Sequence, residues 1–276
     1  MLERYIKRAV KEKWALGQFN FSTFDQLKSI VQASSETKSP VILGNSPGEI
    51  SFFGMEEAFL LCSFYKKKNK KIFLNLDHGI DLKQVKKAID LGYDMVHFDG
   101  SKMEFKENIK ETKKVVTYAL RKKVLIEGEL GSIPGRSVVN QAKALKTKKV
   151  VSIQEVKEFS EKTRVDLLAL SFGNLHGVYQ TKPVIDFSLI KEARETQIPL
   201  VFHGGSGTSN QDIKKAINLG VVKVNINTEL RSVWAESLRK EIKKSIVPYQ
   251  VLEKPQKEVI LKVKEKIKVL GSQNKV

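Results

Sequence analysis

Short apolar runs alternate with longer amphipathic stretches along the chain. Eight runs read as strands: GQFNF (17–21), PVILGN (40–45), KIFLNLD (71–77), MVHFDG (95–100), KVLIEGEL (123–130), LLALSFG (167–173), PLVFHG (199–204) and VVKVNIN (221–227). Each is short and mostly apolar, as strands buried on both faces are. The stretches between them carry helical spacing. In DLKQVKKAIDLG, Val85, Ala88 and Ile89 share one face, and Gly92 stands where a left-handed residue would end the helix. SNQDIKKAINLG repeats the pattern, with Ser209 as N-cap and Gly220 at the close. Eight strand–helix units predict an α/β fold with a parallel sheet, and eight is the number that closes a (β/α)8, or TIM, barrel. An open doubly wound sheet is the alternative, because periodicity does not encode closure. A further amphipathic helix over 254–270 (Val259, Ile260, Val263, Ile267, Leu270) is predicted to seal the barrel or to meet a partner subunit. The polar, basic stretch Gly131–Val150 lacks a strand pattern and reads as a long mobile loop after the fifth strand. With no linker, repeat or low-complexity segment, residues 1–276 read as a single barrel domain.

Composition narrows the class. A chain of 276 residues, 41% hydrophobic, suits one barrel of about 250 residues with a sizeable core. No stretch has the pattern of a signal peptide, and none is long and apolar enough to predict a membrane span. The one cysteine, Cys62 in FLLCSF, has no internal disulfide partner and suits a reducing, cytoplasmic setting. The net charge of +18 raises nucleic acid as a partner. The lysines are spread along the chain without an aromatic-interleaved basic motif, which argues for solvated helix faces instead. Such a surface would also draw a small phosphorylated substrate.

The chemistry collects at strand ends. Asp77 and His78 follow the third strand, Asp99 closes the fourth, and Glu127 and Glu129 end the fifth. His176 follows the sixth, His203 ends the seventh, and Asn225 to Thr228 end the eighth. In a barrel these ends converge on the C-terminal face. A lone histidine at a strand end is usually a hydrogen-bonding residue. Three of the four histidines at one rim, with carboxylates beside them, point instead to a divalent metal. Three imidazoles with an open fourth position are the ligand set of a catalytic zinc, Zn2+. Glu129 is the candidate fourth or alternate ligand, and His97, mid-strand, reads as structural. HGGSGTS (203–209) runs from the seventh strand into a helix; Gly204, Gly205 and Gly207 would let backbone N–H groups approach an anion. Asn225 and Thr228 lie on the next loop, where barrels commonly hold phosphate.

These residues resemble the class II, metal-dependent fructose-bisphosphate and tagatose-bisphosphate aldolases, among them the ketose-bisphosphate aldolases. The resemblance runs nearly end to end, through GQFNFST, NLDHG (75–79), FDGSKMEFKENI (98–109), IEGELG (126–131), HGVY (176–179), FHGGSG (202–207), KVNINTELR (223–231) and the closing GSQNKV. It implies zinc on His78, His176 and His203, with Glu129 as the ligand exchanged when the metal moves. It implies Asp77 as the acid–base at the C4 hydroxyl. Gly177, Gly204, Ser206, Asn225 and Thr228 would hold dihydroxyacetone phosphate, with Ser46 near the second phosphate or the aldehyde half. A monovalent cation near the phosphate, and a homodimer or homotetramer, are further implications. Four departures from the family pattern stand out. The acidic pair beyond ELG is replaced by Arg136 and Ser137, with no carboxylate through Lys149; Gln180 replaces a lysine; no arginine stands near Pro248–Pro255; and Asn227, at the phosphate end, replaces an aspartate or alanine.

The leading expectation is reversible cleavage of fructose or tagatose 1,6-bisphosphate to dihydroxyacetone phosphate and glyceraldehyde 3-phosphate. The altered loop keeps open a related aldolase with another aldehyde or phosphosugar substrate, or reduced activity. A non-catalytic binding or regulatory barrel is a more distant alternative; it would bind nucleic acid in a salt-sensitive way that survives loss of Asp77.

Overall fold

The computed structural model describes residues 1–69, 71–139 and 151–276. In chain order the strands are β1 Leu16–Asn20, β2 Val41–Asn45, β3 Ile72–Gly79, β4 Met95–Phe98, β5 Leu125–Leu130, β6 Gly135–Val139, β7 Leu167–Leu170, β8 His176–Val178, β9 Leu200–Phe202 and β10 Val221–Ile226. The helices are α1 Leu2–Glu12, α2 Phe24–Thr37, α3 Pro47–Phe53, α4 Met55–Lys68, α5 Leu82–Leu91, α6 Phe105–Leu120, α7 Ile153–Thr163, α8 Phe187–Ala193, α9 Asn210–Leu219, α10 Thr228–Glu241 and α11 Pro248–Leu270. Eight of the described strands pair in parallel in the closed order β1-β10-β9-β7-β5-β4-β3-β2. Closure excludes the open doubly wound sheet. Each barrel strand falls on one of the eight runs, because a strand buried on both faces must be apolar for most of its length.

Each strand has an inner and an outer row. The outer row includes Phe19, Leu43, Leu74, Val96, Ile126, Leu168, Leu200 and Val224, which pack under the helices. The lower inner row holds Leu16, Ile42, Phe73, Met95, Leu167 and Val201, and α1 plugs it with Leu2, Tyr5, Ile6 and Ala9. Tyr5 meets Phe73 edge-on, ring centroids 5.8 Å apart. Higher up, the inner row turns polar: Gln18, Asn75, His97, Glu127, His203 and Lys223 are all fully buried. Polar side chains buried at that depth need mutual partners, and they supply the walls of the site.

The caps match the sequence signals. Gly92 ends α5 at φ 95°, and Ser209 caps α9 by accepting from Asp212 N, with Gly220 at φ 129° behind it. The last helix starts at Pro248, earlier than 254, with Pro255 tolerated inside it. Its buried Val259, Val263, Ile267 and Leu270 join the barrel's outer core, and Leu270 O accepts from Ala15 N at 3.0 Å. It seals the barrel wall. The stretch after β5 differs from the expected structureless loop: its first part, β6, pairs in parallel with β8. The pairing is non-local, so no periodicity could reveal it. Arg136 and Ser137 fall within β6, and 140–150 lies outside the described residues.

Candidate active site

Asp77 and His78 are adjacent, and strand alternation would send them to opposite faces. The β3–β4 register prevents this: it steps from Leu76 opposite Val96 to Gly79 opposite Phe98, three residues against two. His78 absorbs the extra residue at φ 54°, in the left-handed region. Such a bulge bends the strand and re-aims a side chain. Both residues then line one cavity. A non-glycine residue held there costs roughly 1–3 kcal/mol, which is the kind of strain found at functional sites.

Two carboxylates set the histidine tautomers. Asp99 Oδ2 lies 2.9 Å from His78 Nδ1, and Glu127 Oε1 lies 2.7 Å from His203 Nε2. With both rings neutral, each carboxylate accepts the ring N–H, which leaves His78 Nε2 and His203 Nδ1 with unshared pairs. Those two nitrogens face each other at 3.1 Å. Bare lone pairs repel at that distance, whereas two nitrogens on one tetrahedral zinc stand roughly 3.3 Å apart. The His176 ring lies 4.8 Å from that of His78 and 5.8 Å from that of His203, centroid to centroid. Burial and the charges of His78 and His203 push His176 down to about 3, so it is neutral at pH 7. Burial also lowers His203, although its hydrogen bond to Glu127 opposes this.

The surroundings ask for a cation. Asp77, Asp99, Glu127 and Glu129 gather here against one buried ammonium, Lys223. Burial would lower His78, but Asp77, Asp99 and Glu129 raise it above its ordinary value. Glu129 Oε2 is buried without an aligned hydrogen bond, 3.6 Å from His78 Nδ1 and 3.2 Å from His97 Nε2. A buried carboxyl oxygen without a full hydrogen bond is costly, and a metal within its reach would remove the cost. The donor set therefore fits a divalent ion. His97, expected to be structural, also reaches this cluster. It is fully buried, its Nδ1 accepts from His78 N at 3.1 Å, and its Nε2 stands 3.2 Å from Glu129 Oε2.

Asp77 is gripped from two sides. Asn225 Nδ2 donates to Oδ1 at 3.0 Å and Asn20 Nδ2 to Oδ2 at 2.9 Å. Burial would raise its carboxyl, but His78, His97, His203 and Lys223 hold it well below the usual range. Lys223 Nζ donates to Glu127 Oε2 at 2.7 Å and to Asn225 Oδ1 at 2.8 Å. That second bond leaves the Asn225 amide nitrogen for Asp77.

The glycine turn follows β9. Gly204 has φ 71°, and a Cβ there would stand 2.1 Å from Leu175 O; at Gly207 it would stand 2.3 Å from Gly177 O. Close backbone approach requires glycine at both. Ser206 Oγ accepts from Asn227 N and Glu229 N, each at 3.2 Å, and so ties the turn to the start of α10. The cavity has a volume of about 110 Å3. Ser46, Asp77, His78, His176, Gly177, His203, Gly204, Ser206, Asn225, Asn227 and Thr228 all line it. Glu129, the remaining expected residue, is buried beside His78 and His97 outside that lining.

A metal-competent histidine cluster, a gripped carboxylate and a glycine turn in one barrel mouth match a known family. The model for fructose-bisphosphate aldolase class-II covers residues 1–275. The chain belongs to that family. As a class II aldolase it is a divalent-metal-dependent enzyme. It is 36% identical to the sulfofructosephosphate aldolase of Alkalicoccus urumqiensis, over 98% of this chain and 96% of that one. It is 34% identical to the fructose-bisphosphate aldolase of Geobacillus stearothermophilus, over 88% and 85%. The 6-phospho-5-dehydro-2-deoxy-D-gluconate aldolase of Shouchella clausii (strain KSM-K16) is also 34% identical, over 97% and 92%. Among solved structures, the YdjI aldolase from Escherichia coli K12 superposes with a TM-score of 0.86 at 28% identity, over 100% of this chain and 98% of that one.

Asn20, Lys223 and Arg231 were not among the expected site residues, and Glu127 was noted only as a strand-end carboxylate without a role. For Asn20, Glu127 and Lys223 a signal was present: pairs such as Gln18/Asn20, Glu127/Glu129 and Lys223/Asn225 place polar groups at alternate positions of apolar strands, on the inner row. No helix of the described residues is long and apolar enough to cross a membrane.

Proposed function

We propose that this class II aldolase reversibly cleaves a ketose 1,6-bisphosphate, of fructose or tagatose, to dihydroxyacetone phosphate and glyceraldehyde 3-phosphate. The observation that carries the reading is Asp77, oriented by two amides beside facing histidine nitrogens, in the same cavity as the glycine turn. His78, His176 and His203 would hold zinc, with Glu129 as the exchangeable ligand. A bound zinc ion supplies positive charge next to the ketone oxygen, where negative charge builds as the carbon–carbon bond breaks. Asp77 accepts the C4 hydroxyl proton as the C3–C4 bond breaks. The bonding pair stays with C3, C4 leaves as the aldehyde, C3 takes a proton from solvent to give dihydroxyacetone phosphate, and Asp77 returns its proton to solvent. Asn20 and Asn225 fix both Asp77 oxygens so that one lone pair faces the substrate. Gly177, Gly204, Ser206, Asn225, Asn227 and Thr228 would hold the ketose phosphate, and Ser46 the aldehyde half. The reading extends to one barrel domain, a cytoplasmic homodimer or homotetramer, and a monovalent cation near the phosphate, none of which the test below depends on. Zinc-loaded protein should cleave one of the two bisphosphates and lose the activity to a chelator. If it cleaves neither, the reading is abandoned.

A second reading keeps the metal and the ketose phosphate but changes the aldehyde. Its support is that relatives named for sulfofructosephosphate and for 6-phospho-5-dehydro-2-deoxy-D-gluconate are as similar as the one named for fructose bisphosphate. Solvent exchange of the dihydroxyacetone phosphate proton, without condensation on glyceraldehyde 3-phosphate, would select it.

A further inference from the structure

We propose that Arg231 is a specificity-determining residue that reads a second anionic group, at the aldehyde end of the substrate. The inference rests on the aldolase reading above and adds the residue that selects, under either aldehyde, a ketose phosphate whose aldehyde product is itself an anion.

The cavity has two polar ends. One is the glycine turn after β9, with Ser206 and the N-terminus of α10. The other lies after β2, where Ser46 begins α3. In the barrel order β9 and β2 are three places apart, so along the wall these ends are separated by roughly 14 Å, three strand spacings. An elongated substrate with a group at each end can span them. Arg231 sits one turn inside α10, yet its guanidinium crosses to the β2 side, with Nη2 2.5 Å from Glu49 Oε1. Glu49 is 3% exposed and is itself fixed by Ser46 N at 2.7 Å, Asn20 Nδ2 at 2.9 Å and Asn227 Nδ2 at 3.2 Å. The ion pair thus anchors the arginine to a rigid support, while its side chain remains 38% exposed and lines the cavity.

Charge makes the choice. Among the described residues lining the cavity, Arg231 carries the permanent positive charge. Lys223 is buried on Glu127 and Asn225. A guanidinium is a planar fork of N–H donors, suited to bidentate contact with a phosphate, sulfonate or carboxylate. A neutral aldehyde half would gain nothing from it.

The test compares zinc-loaded wild type, Arg231→Gln and Arg231→Lys on fructose 1,6-bisphosphate and fructose 1-phosphate, which differ in the far phosphate. Wild type should favour the bisphosphate. Arg231→Gln should lower the ratio of the two kcat/KM values about tenfold or more, and Arg231→Lys should restore part of it. The ratio matters because disturbing Glu49 reaches Asp77 through Asn20, and that damage falls on both substrates alike. A ratio within about twofold of wild type in Arg231→Gln overturns the proposal. If wild type cleaves neither sugar, the aldolase reading fails, and calorimetry decides the inference separately. Fructose 1,6-bisphosphate should then bind wild type about tenfold more tightly than Arg231→Gln; equal affinities sink the assignment.

Discussion

At the scale of single residues, the centre is a set of buried charges that depend on one another. Asp77 takes one amide from Asn20 and one from Asn225, and Asn225 is oriented by Lys223. A carboxylate serving only as an end-of-strand partner could be lost with a cost in stability and little else. The proton acceptor proposed above could not. Asp77→Ala is therefore expected to lower kcat by about 100-fold or more while the protein still binds zinc, read as metal per chain. Turnover near wild type would reduce Asp77 to a structural role. Lys223 supports the other half of the network. Lys223→Met leaves Glu127 charged and fully buried without its cation, which should cost about 3–5 kcal/mol in urea denaturation. Because Glu127 also orients His203, zinc affinity in a chelator competition should fall about 10–100-fold. His78, His176 and His203 were legible as candidate ligands because each stands at a strand end. The place of His97 in the same cluster was not legible, since a mid-strand histidine looks like core until the barrel interior is seen to be polar at its level.

At the scale of elements, the strands were readable because burial on two faces leaves a local signature. The bulge at Asp77–His78 was not: a one-residue register step depends on the neighbouring strand. The β6–β8 pair was hidden for the same reason. α1 is a different case, since Leu2, Tyr5, Ile6 and Ala9 follow helical spacing and are all buried. Its place could not follow from that spacing, because plugging a barrel floor requires the barrel to be closed first. The floor and the mouth should separate in experiment. Phe73, 1% exposed under Tyr5, belongs to the floor. Phe73→Ala is expected to cost about 3–5 kcal/mol yet leave kcat/KM near wild type at temperatures where the variant is folded. A matching fall in kcat/KM would mean that the floor and the catalytic mouth are mechanically coupled, against the usual division of labour in these barrels.

At the scale of the whole molecule, closure of the sheet gathers histidines that lie 125 residues apart in the chain and puts them into water-poor space. That has a consequence for the metal-free protein in acid. His176 is held down to about 3 by burial and by its charged neighbours, and His203 is lowered too, by burial first. In the unfolded chain both titrate near 6.5. Between these values the unfolded chain binds protons that the folded chain refuses, so stability must fall as pH falls through that window. His78 and His97 are raised, His97 strongly. Their contribution is nearly complete at pH 6.5 and grows by only about 0.4 kcal/mol each below it, so they reduce the trend without cancelling it. From pH 6.5 to pH 5, His176 alone should remove about 2 kcal/mol, before the carboxylates of the unfolded chain begin to titrate strongly. Urea midpoints of the chelator-treated protein should therefore drop over that interval, and in His176→Asn the drop should shrink. An unchanged midpoint would mean that His176 already carries a proton in the folded, metal-free barrel, and so does not stand ready as a neutral ligand.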